Sequence, residues 1–243
     1  MNLEAFDGPF GVKAQFCFRP DIADRNTILA TFHEDEYNFV RYPAGPGEWY
    51  IDGGGYVGST AILYALLNPK TPVLVIEPLP ENQEIIMKNI SINGLTNRVT
   101  LIKGALTDVP GQPVKIYYRD DSPVGKCHHF VGSGYPNYHE TVSPNFTLAS
   151  PILLDQLITE FSIDEIRLLK LDIEGGEYAA LQSLGNLLLA RIRTIVGEYH
   201  NVDPKNCLTP RTKLYKIVEN THQDFSVGAE VATWGSFLFE KRG

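Results

Sequence analysis

The chain has 243 residues, 43% of them hydrophobic and 21% charged, and its 21 Lys+Arg against 29 Asp+Glu give a formal net charge of −8 at pH 7. That balance argues against a broad basic face for gripping nucleic acid, and a chain this long buries a sizeable core without staples. Its three cysteines, Cys17, Cys127 and Cys207, fall outside any CxxC spacing, so neither a disulfide framework nor a zinc ribbon is expected. No apolar run approaches the length of a membrane span and the first residues lack a signal-peptide pattern, so a cytoplasmic protein is expected.

Residues 1–47 carry short strand-like pieces and a helix-like run, Asp24–Phe32. They end in Pro43-Ala44-Gly45-Pro46-Gly47, a loop that joins an N-terminal cover to a core domain over residues 48–243. From there β-branched apolar runs alternate with longer helical patterns, the signature of an α/β fold with a parallel sheet and crossover helices. Strands are expected at Trp49–Asp52, Val73–Glu77, Val99–Gly104, Ile166–Asp172 and Thr194–Tyr199. Helices are expected at Ser59–Leu67, Glu81–Asn93, Leu153–Phe161, Tyr178–Leu189 and Arg211–Asn220. Two closely spaced runs, Asp224–Val231 and Ser236–Glu240, predict an antiparallel hairpin at the sheet edge. Residues 118–150 break the alternation. Rich in Gly, Pro, Ser, His and Tyr and without periodicity, they predict a lid-like insertion beside the ligand-facing ends of the strands.

From Trp49 to Gly58 a strand runs into a glycine turn and then a helix. Glycines let the backbone take angles closed to other residues and approach a ligand with no Cβ between them. The helix beginning near Ser59 turns its amide-rich, positive end toward the same place. Gly53, Gly55 and Gly58 have the spacing of a dinucleotide fingerprint, with Glu77 nineteen residues beyond Gly58, and this keeps an NAD(P)-dependent oxidoreductase as an alternative. Asp52 points elsewhere. A carboxylate directly before the glycines would repel a pyrophosphate, but it suits a ligand that carries a cation, such as S-adenosyl-L-methionine. Glu77, ending the next strand, then accepts hydrogen bonds from both ribose hydroxyls.

These residues also resemble a family. Ile51-Asp52-Gly53-Gly54-Gly55-Tyr56-Val57-Gly58 is similar to the D-x-G-A-N-x-G of the FkbM family of S-adenosylmethionine-dependent methyltransferases. The likeness continues through Ile76-Glu77-Pro78-x-Pro80-x-Asn82, Asn89, Asn93 and Gly104-Ala105-Leu106, and closes on Glu198-Tyr199-His200. Its most specific piece is Lys170-Leu171-Asp172-Ile173-Glu174-Gly175-Gly176-Glu177, close to K-x-D-x-E-G-x-E; upstream, Arg19-Pro20-Asp21 and Glu36-Tyr37 sit where the family often has R-x-x-x-S-D and E-Y. Gly54-Gly55 replaces the usual Ala-Asn, so Gly55 can touch a cofactor through its backbone alone, and a catalytically inactive cofactor-binding module is a further alternative. The resemblance implies a Rossmann-like class I methyltransferase fold, a mostly parallel seven-stranded sheet with helices on both faces. It implies O-methylation of a hydroxyl on a small acceptor such as a sugar or secondary metabolite. It also implies cofactor contacts from Asp52, Gly53, Gly55, Tyr56, Gly58, Glu77, Pro78, Ala105 and Asp172.

Methyl transfer requires an aligned nucleophile and, for a hydroxyl, somewhere for its proton to go. Strand alternation puts Lys170, Asp172 and Glu174 on one side of the fourth strand's end. Asp172 is a candidate base and Glu174 a candidate for orienting the hydroxyl. His200, at the end of the fifth strand, titrates near neutrality and is the other candidate base. Lys170 reads as the partner of a neighbouring acid, and Glu177 as a structural acid at a helix start. Asp172, Glu198 and His200 imitate a magnesium site without a further acid or amide to complete it, so no metal is expected. Nucleic acid is not an expected substrate, since no [DNS]-P-P-[YF] follows the fourth strand.

Overall fold

The computed structural model describes residues 1–20, 22–118, 128–130, 146–200, 210–228 and 234–243. It begins with an antiparallel pair, β1 (Asn2–Asp7) and β2 (Lys13–Phe18), in which Phe6, Phe16 and Phe18 face inward. Helix α1 (Ile22–Leu29) follows and runs into one π-helical turn, Ala30–Glu34, where the expected single helix changes pitch. Phe6 and Phe32 both pack edge-on against Phe16, with ring centroids 5.8 and 5.2 Å away. The cover is tied down by two asparagines one turn apart, Asn89 near the end of helix α3 (Pro80–Ile92) and Asn93, which caps it. Asn89 accepts from the Cys17 N–H at 2.7 Å and donates to the Cys17 carbonyl at 3.1 Å, and Asn93 makes the same pair of bonds to Gln15. Side-chain amides thus take the place of a neighbouring strand.

The central sheet is built from β3 (Glu48–Gly53), β4 (Val73–Glu77), β5 (Val99–Lys103), β11 (Glu165–Leu171), β12 (Thr194–His200), β13 (His222–Asp224) and β14 (Trp234–Lys241). Its order is β13-β14-β12-β11-β3-β4-β5. The first five of these strands in sequence are parallel, and β14 runs antiparallel to both β12 and β13. An antiparallel hairpin is present, with its second strand on the inside, but its first strand ends at Asp224, where the expected Asp224–Val231 begins. Helices α2 (Ser59–Leu67), α3 (Pro80–Ile92), α4 (Leu154–Glu160), α5 (Glu177–Gln182), α6 (Asn186–Leu189) and α7 (Pro210–Val218) cover the faces. Alternation along each strand splits the core into two layers. Tyr50, Val73, Val75 and Leu168 join the cluster under α2, α3 and the cover. Ile51, Leu74, Ile76, Leu169 and Ile195 join the cluster under α4, α5 and α7.

The run expected as one helix over Tyr178–Leu189 is two, because Gly185 is extended (φ −77°, ψ 166°) and starts a new turn. Around the insertion, β7 (Val114–Tyr118) pairs antiparallel with β8 (His128–Phe130) and β9 (Phe146–Ala149), and β6 (Ala105–Leu106) pairs with β10 (Pro151–Ile152). Most of the expected lid lies outside the described residues. Among the described residues no helix is long and apolar enough to cross a membrane.

Candidate active site

The strand order starts at β3, moves outward through β4 and β5, then returns to the other flank of β3 with β11. Open α/β sheets bind ligands at the carboxyl ends of the strands where the order reverses. Here that point opens into a cavity of about 310 Å³, within the range of small-molecule sites.

One wall is the glycine turn. Gly54 has φ +86°, and a Cβ on it would run into the Asp172 carbonyl, so only glycine fits between β3 and β11. A Cβ on Gly55 would meet the Val75 side chain and lie 3.1 Å from Ile86 Cδ1. The packing behind the loop therefore leaves no room for the family's asparagine unless those side chains shift. Tyr56 follows with φ 50° and turns its N–H to Glu77 Oε2 at 2.9 Å. Glu77 Oε1 accepts from the Leu79 N–H at 3.0 Å and from Asn82 Nδ2 at 3.1 Å. Burial pushes this carboxyl up to about 7 despite the opposing pull of its donors.

Behind that wall, Lys170 and Asp52 are direct neighbours in the β11–β3 register, so their side chains leave the same face of the sheet. The Lys170 ammonium lies 3.2 Å from Asp52 Oδ1 and donates to the carbonyls of Gly53 (3.2 Å) and Gly54 (2.7 Å). Thr60 donates its hydroxyl to the other Asp52 oxygen. Asp52 is fully buried and Lys170 is 2% exposed. The sequence reading sets Asp52 against a ligand cation; in the structure its carboxylate is answered from within the protein, and it braces the glycine turn from below, outside the residues that line the cavity. Gly53 and Gly58 also stay outside the lining, whereas Gly55, Tyr56, Glu77, Pro78, Ala105, Asp172 and Glu174 line it.

The opposite end is crowded with acids. Tyr37 of the cover donates to Asp172 Oδ2 at 3.0 Å, and Thr31 donates to Glu36 at 3.2 Å. Glu177 is completely buried and accepts from the Ile173 and Gly175 N–H groups, which holds the turn that presents Glu174 (φ 55°). The Glu177 carboxylate also grips His200 Nδ1 at 3.1 Å. His200 Nε2 lies 3.6 Å from Glu174, 3.8 Å from Glu198 and 4.0 Å from Asp172. Burial opposes a charge on this imidazole, but the Glu177 hydrogen bond and the surrounding carboxylates outweigh it and push the ring up to about 10. Glu174 and Glu198 are each pushed up to about 7, first by burial and then, against the nearby imidazolium, by their acidic neighbours. Asp172, Glu198 and His200 offer three ligand atoms within 4.8 Å of one another, and a metal ion there would have to displace the Nε2 proton of His200.

Sequence reasoning did not place Glu36, Tyr37, Ala23 and Thr27 in the cavity, although Glu36-Tyr37 is one of the pieces of the family resemblance. They come from the cover, and nothing local in the sequence ties Tyr37 to Asp172, 135 positions away.

Strand order, crossovers and the placement of the cavity define a Rossmann-like class I methyltransferase fold. The profile of the methyltransferase FkbM domain matches residues 52–236, and the chain belongs to that family. A crystal structure of methyltransferase FkbM from Methylobacillus flagellatus KT is similar over 79% of this chain, with 16% identity and a TM-score of 0.51. The chain spans 43% of the length of that protein. A putative rRNA methylase from Clostridium thermocellum is similar over 87% of this chain and 96% of its own, with 10% identity and a TM-score of 0.49. No curated protein matches the chain.

Proposed function

We propose that the protein uses S-adenosyl-L-methionine to O-methylate a hydroxyl on a small acceptor such as a sugar or secondary metabolite. One observation carries the choice of cofactor. Among the described residues the cavity is lined by Glu36, Glu77, Asp172 and Glu174 against a single ammonium, Lys170, which is already committed to Asp52 and the loop carbonyls. A pyrophosphate or a nucleic-acid backbone would be repelled there, and a cationic nucleoside is favoured.

The residues fit that ligand part by part. Glu77 presents a buried acceptor for ribose hydroxyls, Gly54 and Gly55 line the cavity with backbone alone, and Asp172 and Glu36 answer an aminoacyl ammonium. The cofactor supplies an activated methyl group on a sulfonium. The protein's own part is alignment, exclusion of water and removal of one proton. We assign that proton to Glu174, whose carboxyl is held at about 7, near the value at which a base works best in neutral solution. His200 is reassigned from base to counter-charge, because a ring held protonated to about 10 cannot take a proton at neutral pH. Together with Glu177 it keeps the Glu174 turn in place.

The test is calorimetry with S-adenosylhomocysteine and, separately, NAD and NADP, followed by transfer of labelled methyl to a panel of hydroxylated acceptors. Binding of a nicotinamide dinucleotide in place of S-adenosylhomocysteine would sink the cofactor assignment. Labelled methyl appearing only on amines would sink the acceptor assignment.

A further inference from the structure

We infer that the two ribose hydroxyls of the nucleoside are divided between two side chains, one accepted by Glu77 and the other by the amide oxygen of Asn82. The inference rests on the S-adenosylmethionine reading and goes beyond it by adding a ligand-binding residue on α3.

It starts from counting lone pairs. An ionised carboxylate offers about four acceptor sites, and Glu77 has already spent three of them on Tyr56 N–H, Leu79 N–H and Asn82 Nδ2. Two further hydroxyl donors would make five. Asn82 stands beside it as the third residue of α3, 3% exposed, and lines the same cavity. Its NH₂ end faces Glu77 and donates to Oε1 at 3.1 Å, which leaves the ionised carboxylate as the acceptor. That leaves Oδ1, which is buried and has no hydrogen-bond partner among the described residues. A buried acceptor without a donor forfeits its hydration with nothing in return, and native proteins rarely leave one except where a ligand or water completes it. A nucleoside seated on Glu77 brings one donor too many for the carboxylate and one donor wanted by the amide.

The experiment measures dissociation constants of S-adenosylhomocysteine and of its 2′-deoxy and 3′-deoxy analogues by calorimetry. The proteins are wild type, Asn82→Leu and Glu77→Gln, with Asn82→Ala as a second variant and thermal unfolding as a check on folding. In the wild type, removing either hydroxyl should weaken binding about tenfold, the usual worth of one hydrogen bond. In Asn82→Leu one of the two penalties should vanish while the other stays, and in Glu77→Gln the complementary penalty should shrink. Asn82 acting only as a support for Glu77 predicts that both variants affect the same hydroxyl, and that result overturns the inference. So do an Asn82 variant that keeps both penalties and a wild type indifferent to both hydroxyls. A wild type that fails to bind S-adenosylhomocysteine at all overturns the cofactor reading itself, and this with it.

Discussion

Glu77 and Glu174 line the same cavity and are both held at about 7, but for different reasons. At the Glu77 end, burial alone raises the carboxyl, and backbone and amide donors from three directions fix its position. At the Glu174 end, burial is joined by three other carboxylates, Asp172, Glu177 and Glu198, with the His200 imidazolium as counter-charge. The first site is preorganised for a neutral donor. The second holds unbalanced negative charge that a proton or an incoming cation relieves. One pKa therefore describes two roles, and the environment decides which group binds and which reacts.

Replacing Glu174 by Gln should separate the two ends most sharply. Turnover at saturating cofactor should fall at least about a hundredfold, the lower range for loss of a general base, with S-adenosylhomocysteine affinity unchanged. Equal losses in both would place Glu174 in the binding machinery. Glu77→Gln should do the reverse and weaken cofactor binding by about tenfold to a hundredfold, as expected for a charge-assisted pair of about 1.5–3 kcal/mol. Calorimetry on the two variants tests this pair of expectations directly.

His200→Gln should have a smaller effect that depends on pH. The imidazolium lowers the carboxyls of Glu174 and Glu198, so its removal should move the acid limb of the turnover profile upward. His200 titrates at about 10 when folded and near 6.5 when unfolded. A raised pKa on a base stabilises the folded state fully below the unfolded value, and the gain is lost as pH rises through the folded one. The stability difference between wild type and His200→Gln should therefore be largest below about 6.5 and shrink toward about 10 in denaturant titrations. The smallest effect should be on cofactor affinity in the unmodified protein. Ribose donors favour the ionised form of Glu77, so binding should weaken as pH falls through about 7 and level off above it. A flat profile would remove Glu77 from the ribose contact.

The fold was readable in the sequence where one rule governs each segment. Val73–Glu77 was bounded correctly because every residue in it is buried and the run is too short for a helix. Tyr178–Leu189 was not, since its apolar spacing continues across Gly185 and only the extended backbone there reveals the break. In the site, strand alternation expects Lys170, Asp172 and Glu174 on one side of a strand end, whereas β11 stops at Leu171 and a turn presents Glu174. Sequence alone sets Asp52 against a ligand because its neighbour across the sheet, Lys170, is 118 positions away, and pairing register is a property of the folded sheet. The cover's contribution, Tyr37 on Asp172, was invisible for the same reason.

The order in which the sheet is assembled has a consequence for synthesis. Strand β14 fills the gap between β12 and β13, so a nascent chain exposed only as far as residue 224 has β13 with no partner, since its ladder runs to β14. Until residues 234–241 emerge, β12 keeps one whole flank of backbone groups unpaired, from Thr194 to His200, and the core lacks Phe237 and Phe239. An open apolar edge of that length is a template for pairing between chains. The ribosome thus releases a sheet whose inner strand arrives after its outer one, and the interval between the two is when this protein is most exposed to association with its own copies or to capture by chaperones.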